Sequence, residues 1–436
     1  MCRKRCTTSP TRAELTLFVR GAGAPAGVVD AVQEQLEGQR EVYIDLHAHP
    51  GLSMHETRTS GIIAERLEGF GFEVHQRVGG GVVGVLANGQ GPVVMNRADF
   101  DALPVEKRTG LDYASTETTT DEDGRTVPLM HACGHDMHVA ALLGAAGAMA
   151  AHQEAWSGTF IALFQPGEEI AAGARSMVDD GLTEKVPAPD VVLGQHVMTH
   201  EAGTIGTKAG PVLSAGDSIE ITLHGSGAHG SMPHLSVDPV VLASTIVMRL
   251  QTVVSREIPP SSFAVLTVGS IQAGSKSNII PATATVLLNM RTYDEDVRST
   301  MITALERIVP GGCEAAGCPQ EPEFRYYDQY PLTDNDDDVS AKVTEALRAQ
   351  FGEGVFEQSP QTASEDFSIV PSAFGVPYTY WTVGGVSKDR LERAESSDDP
   401  ADQFAPNHSP YFYQDIDPTL ESGTKAHLAA ALAWLG

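Results

Sequence analysis

The stretch LSAGDSIEITLHGSGAHGSMPHLSVDPVVLASTIVMRLQTVV, residues 213–254, is where the character of the chain changes. Residues 217–223 alternate, with Ile219, Ile221 and Leu223 on one face, which is the period of a half-buried strand. Asp238 and Pro239 supply an N-cap and a first helical residue, after which Ala243, Ile246, Leu250 and Val254 share one helical face. Residues 262–271 and 282–291 then read as strands, 296–309 as a helix and 323–327 as a last strand. The order β-α-β-β-α-β predicts a ferredoxin-like sandwich over residues 213–328. Upstream, residues 59–70 and 137–151 carry helical patterns. Short apolar runs at 81–87, 92–95, 159–164 and 191–193 read as strands. Such alternation predicts an α/β domain with a mostly parallel sheet. The same style returns after about residue 330 and ends in an Ala-rich helix from Leu420. The chain is therefore read as one α/β domain in two pieces, residues 1–212 and 329–436, interrupted by the smaller sandwich.

Composition narrows the function. The 436 residues carry 29 Lys+Arg against 57 Asp+Glu, a net charge of −28. That surface repels phosphate backbones and anionic lipid, so neither a nucleic acid nor a membrane is expected as partner. It also requires a local positive feature to capture any anionic substrate. No run approaches the roughly 18 apolar residues of a membrane span. The basic N-terminus, MCRKRCTTSPTRAELTLF, is not followed by an apolar signal core and reads as an untargeted tail. Five cysteines (Cys2, Cys6, Cys133, Cys313 and Cys318) fit free thiols in a reducing cytoplasm better than a disulfide framework. Cys313 and Cys318 are placed in a Gly-rich loop, GGCEAAGC.

Five short motifs carry chemistry. In MHACGHDMH, residues 130–138, Cys133 and His135 can work together only on an irregular loop, where thiolate and imidazole suit Zn²⁺ and similar ions. Side chains that merely line a helix start are an equally open reading of this motif alone. In FQPGEE, residues 164–169, adjacent carboxylates leave an apolar strand in different directions. One can hold a metal while the other faces a reacting water. His196 in VVLGQHV ends another apolar run. In RADFDALP, Asp99 and Asp101 share one side of an extended segment. His408 lies in PNHSPYF near the C-terminus.

Together HAHPGLS, RADFDALP, HACGHDMH, FQPGEE, GAHGSMPHLSVDP, NIIP and SEDF resemble the aminoacylase, hippurate hydrolase and auxin-conjugate hydrolase branch of the dinuclear metallopeptidases, over roughly residues 41–412. The resemblance implies two divalent ions per subunit held by Cys133, His135, Glu169, His196 and His408, with Cys133 bridging and Glu168 as general base. Zinc is favoured by the thiolate, though Mn²⁺, Co²⁺ or Ni²⁺ accept the same ligands. His229 matches a histidine that in relatives reaches the neighbouring subunit's site, which implies a homodimer or a tetramer. Asn278 and Arg291 match residues that meet the substrate carboxylate or the reacting carbonyl. Asp99, Asp101 and Asp136 are given supporting places behind the ligands. Two positions depart from relatives: Gly51 stands where Glu is common, and Gly167 where Ala is common.

The implied reaction is hydrolysis of an N-acyl amino acid to a carboxylic acid and a free amino acid. A dipeptidase or carboxypeptidase on the same scaffold is the near alternative. A thiol hydrolase with Cys133 as nucleophile, and a catalytically silent metal-binding oligomerisation protein, are the alternatives of other classes.

Overall fold

The computed structural model describes residues 26–121, 124–397 and 405–436; the basic N-terminal stretch with Cys2 and Cys6 lies outside the described residues. Eight strands form the larger sheet, in the order Glu73–Val78, Gly81–Asn88, Gly158–Gln165, Val93–Asp99, Val191–Glu201, Tyr378–Val386, Ile205–Thr207 and Val355–Glu357. From Gly158–Gln165 to Tyr378–Val386 the neighbours run parallel. The Glu73–Val78 and Gly81–Asn88 hairpin adds antiparallel strands at one edge, and Ile205–Thr207 is antiparallel to Tyr378–Val386. The parallel strands are buried on both faces: Phe160, Ile161, Ala162, Leu163 and Phe164 are all inaccessible. Continuous apolar runs in the sequence follow from that two-sided burial.

One face is covered by the helix His135–Ala151, itself packed against Val32–Ala48 and Ile416–Leu435. Its Ala/Gly composition permits this close approach; a Cβ on Gly144 would come within 1.8 Å of Gln39 Nε2. The strand Tyr378–Val386 pairs along Val191–Glu201, from Tyr378 opposite Val192 to Val386 opposite Glu201. Chain from after residue 330 thus completes a sheet begun before residue 213.

Between these segments lies a four-stranded antiparallel sheet, ordered Ala264–Ala273, Thr283–Thr292, Ala215–His224 and Glu323–Tyr330. With the helices Pro239–Arg256 and Glu295–Ala316 it has the strand order of a ferredoxin-like sandwich. Its core is separate from that of the larger sheet and includes Ile219, Ile221, Leu223, Ile246, Leu250, Val286, Leu288 and Met301. Asp238 caps its first helix by accepting from the Val240 N–H at 2.9 Å.

Two details differ from the sequence reading. Val253, not Val254, is the last buried residue of the first sandwich helix. The second helix does not stop at Val309 but continues through Pro310 to Ala316, ending at Gly317 with φ +74°. Cys313 is therefore a buried helical residue, not part of a loop, and Cys318 follows the helix end. The stripe Met301, Leu305, Ile308, Val309 and Cys313 explains the extension: burying one more turn outweighs the hydrogen bond that Pro310 cannot donate.

The core also predicts acid sensitivity. His427 is fully buried, accepts from Asn96 Nδ2 at 3.1 Å, and is held down to about 3 by burial and the nearby His138. Burial holds His200 down to about 4. Unfolding frees both to titrate near 6.5. Their stabilising contribution is complete above that pH and is lost as pH falls toward the folded values. The slope is about 1.4 kcal/mol per pH unit per histidine. Melting temperature should fall steadily from pH 6.5 toward pH 4, and His427→Phe should flatten the curve. An unchanged slope in that variant would show that other groups dominate.

Candidate metal centre

The centre is assembled at the carboxyl ends of the parallel strands, where α/β sheets gather their working residues. Gly134, with φ +87°, turns the chain sharply before the helix His135–Ala151. A Cβ there would lie 2.0 Å from Gln414 Nε2, so the turn requires glycine. The turn lets Cys133 and His135 face one space although they are two residues apart. His196 reaches the same space from the Val191–Glu201 strand, which continues five residues beyond it. Its Nε2 is 3.3 Å from Cys133 Sγ, while its Nδ1 is 2.7 Å from the Val197 carbonyl. The loop bearing His408 is tied to the cysteine loop by the His408 N–H, which donates to the Ala132 carbonyl at 2.7 Å. His408 Nε2 is 3.4 Å from Glu169 Oε2, and His135 Nε2 is 3.9 Å from Glu169 Oε1.

Of the five groups of candidate donor atoms among the described residues, two overlap at the thiol, Cys133–His135–His196 and Cys133–Glu169–His408, each with its atoms within 4.8 Å of one another. The thiol is common to both. Burial alone would raise that thiol, but the imidazoles of His196, His135 and His408 around it hold it well below the usual thiol range. Burial and the Cys133 charge push Glu169 up to about 7. Hydrogen bonds to Cys133 and Glu169 push His408 up to about 10. His135 Nε2 and Glu169 Oε1 are buried without a hydrogen-bond partner. A soft thiolate, imidazoles, a carboxylate and two orphaned buried donor atoms facing one space are the donor set that a divalent ion such as zinc takes. These residues fit the group.

Asp101 braces the set. Its Oδ1 and its carbonyl each lie 3.0 Å from His135 Nδ1, leaving Nε2 free to ligate. Its Oδ2 accepts from the Glu169 N–H at 3.1 Å and the Ser53 hydroxyl at 2.7 Å. Asp99 is engaged by His138 Nδ1 at 2.5 Å and by Arg97 Nη1 at 2.7 Å. Asp136 binds His47 Nδ1 at 2.5 Å and is not among the converging donors.

Glu168 is 6% exposed and sits within 4.8 Å of Glu365 and Asp366. Burial, then the charge of Glu365 and that of Glu169, raise it well above the ordinary carboxylate range. The inaccessible Arg97 offsets part of this negative charge through Glu365 at 2.7 Å and Asp99 at 2.7 Å, and Tyr380 OH donates to Glu365 at 2.7 Å. A carboxylate so placed is suited to take and return a proton.

A cavity of about 510 Å³ opens beside these groups, lined by Cys133, Glu168 and His408 together with Arg291, Tyr330 and Ser364. Arg291 Nε donates to Asn289 Oδ1 at 3.0 Å, and its Nη1 donates to Ser364 Oγ. Tyr330 OH donates to the Glu168 carbonyl at 3.2 Å. His229 and Asn278 are not brought to the cavity. Both are exposed at one corner of the sandwich, where His229 pairs with Ile279 in a two-residue ladder and the Gly230 N–H donates to the Asn278 carbonyl at 2.8 Å.

Sequence reasoning missed several members of this site. Residues 364–368, SEDFS, were expected near the site, with Glu365 and Asp366 given no role beyond support. Arg97 stood unassigned in the quoted RADF motif, where a charged residue inside an apolar run was the usable signal. Tyr330 and Asn407, whose amide lies 3.5 Å from Cys133 Sγ, carried none.

The family model described as "Peptidase family M20/M25/M40" matches residues 95–429. An N-acetyl-L-cysteine deacetylase of Bacillus subtilis is 34% identical over 79% of this chain and 80% of its own length. A thermostable carboxypeptidase of Saccharolobus solfataricus is 35% identical over 89% of this chain and 93% of its own. Among solved structures, a dinuclear metal binding peptidase from M20 family of B. subtilis superposes with a TM-score of 0.71 at 27% identity, covering 92% of this chain and 98% of that one. The matched span takes in all the converging donors, both glutamates of the FQPGEE turn and Arg291, so the chain belongs to peptidase family M20/M25/M40.

Proposed function

We propose that this protein hydrolyses the amide bond of N-acyl amino acids with two divalent ions bound by Cys133, His135, Glu169, His196 and His408. The single observation that carries the reading is the shared cavity, whose walls include Cys133, Glu169, His196 and His408 of the donor set, Glu168, and Arg291. Bound ions of this kind supply an acidified water and a polarised carbonyl. The thiolate favours zinc.

The chain's own residues do the rest. Arg291 forks onto the substrate carboxylate, a planar contact that lysine does not reproduce. This local positive charge answers the problem set by a net charge of −28. Glu168 takes a proton from the attacking water and passes it to the departing nitrogen. Asp101 holds His135 and the Glu169 main chain in place.

Residues 213–328 are read as the lid and dimerisation unit. The strand Ala264–Ala273 is an open edge of its sheet. Beside it the sandwich exposes Leu235, Val241, Met248, Ile271 and Ile279, with Met248 at 72% exposure. An apolar edge of this kind fits pairing with a second copy. His229 and Asn278 then reach the partner's cavity, where His229 donates to the developing oxyanion. The free thiols Cys133, Cys313 and Cys318 fit a reducing cytoplasm.

The carboxypeptidase reading has one observation in its favour, the Saccharolobus relative, because Arg291 would grip a peptide's terminal carboxylate equally well. A panel of N-acetyl and N-benzoyl amino acids beside dipeptides and N-blocked dipeptides, each assayed with added Zn²⁺ and Mn²⁺, tests the choice. The proposal expects kcat/KM to be highest on the simple acyl amino acids. Faster turnover of the peptides would replace it with the carboxypeptidase reading.

A further inference from the structure

We propose that Glu56 is a positioning residue that holds the Gly167–Glu168–Glu169 turn in its working orientation. The inference rests on the roles given above to Glu168 and Glu169. Glu56 is only 4% exposed. Its Oε1 accepts from the Gly167 N–H at 2.9 Å and from the Met54 N–H at 2.8 Å. One carboxylate oxygen therefore ties the peptide that precedes Glu168 to the loop of residues 50–56. Asp101 does the same one step further on, accepting from the Glu169 N–H at 3.1 Å. The turn that carries both glutamates hangs from these two carboxylates.

The loop is itself anchored to the strand that delivers Asp101. Gly51 accepts from the Ala102 N–H at 2.9 Å, and Ser53 donates to Asp101 at 2.7 Å. Two glycines, Gly51 and Gly167, meet at this junction. A Cβ on Gly51 would lie 2.8 Å from Glu56 Cα, so glycine there lets the loop fold tightly under Glu56. A Cβ on Gly167 would lie 2.5 Å from Met54 Sδ, and both Gly167 (φ +53°) and Met54 (φ +64°) adopt the left-handed region. At each of these glycines a Cβ would push the loop away from the catalytic turn. Met54, rare in that backbone region, is kept there by the bond from its own N–H to Glu56.

Because both hydrogen bonds end on the same oxygen, an amide in place of the carboxylate keeps them and a methyl group loses them. The experiment measures kcat, KM, melting temperature and the rate of metal loss to a chelator for Glu56→Ala, Glu56→Gln and Gly51→Ala, with Glu168→Gln as reference. Glu56→Ala is expected to lower kcat about a hundredfold, the scale of an ångström-sized displacement of a catalytic group. KM should not change, since Arg291 is untouched, and metal loss should quicken because Glu169 shares the turn. Glu56→Gln should recover most of the turnover. Gly51→Ala should show the same kcat-only signature in a folded protein, and decides the matter if Glu56→Ala does not fold. Unchanged kcat in folded Glu56→Ala or Gly51→Ala, or Glu56→Gln as impaired as the alanine variant, overturns the proposal. An active Glu168→Gln instead overturns the reading of the site on which it rests.

Discussion

Glu168→Gln is expected to lower kcat by about 10² to 10⁴, the range of a positioned general acid–base, while the protein keeps its metal. The substitution is nearly isosteric and leaves Cys133, His135, Glu169, His196 and His408 in place. It removes the buried, cavity-lining carboxyl that burial, Glu365 and Glu169 raise. KM should change little because Arg291 and Ser364 are untouched. Steady-state kinetics with elemental analysis of the same sample checks both halves. Rates within a few-fold of the parent would show that the base is misassigned. The variant also probes the assembly. If His229 acts across a twofold interface, an inactive Glu168→Gln protein mixed with an inactive His229→Ala protein must regain activity. The mixed dimer contains one cavity with both groups intact. No recovery after subunit exchange would show that His229 does not act across the interface.

Cys133→Ala is expected to have the second large effect, on metal content. The thiol is the only donor atom common to both three-residue groups. It is also the anion that His196, His135 and His408 are arranged to stabilise. Without it the carboxylate and histidine on one side, and the two histidines on the other, are left as separate and weaker sites. Protein purified without added metal should therefore carry less of it, and activity should return in part at high external Zn²⁺. The same variant separates the metal reading from a thiol nucleophile. A nucleophilic Cys133 predicts full metal content, no rescue by metal, and indifference of the parent enzyme to chelators.

Much of this site was legible before the fold was known, because chemistry of this kind is written in short motifs. CGH, GEE and a histidine at the end of an apolar run are unusual enough in type and spacing to be noticed one by one. The supporting groups were not. Glu56, Arg97 and Tyr330 are ordinary residues in sequence and become parts of the centre only through partners 111, 268 and 162 positions away. Helix ends were similarly underdetermined. Pro310 reads locally as a stop, and only the buried stripe reaching Cys313 carries the helix past it.

Local pattern by itself pointed to the two architectures, since alternation and helical periodicity report burial directly, while the ligand set came from the resemblance of its motifs to a known family. The tertiary structure alone decided which of those side chains meet. It joined Cys133 to His408 and Glu168 to Glu365, and kept His229 and Asn278 out of this chain's own cavity. Distances of a few ångströms between residues hundreds of positions apart are set by how sheet, helices and loops pack together, and no local propensity encodes them.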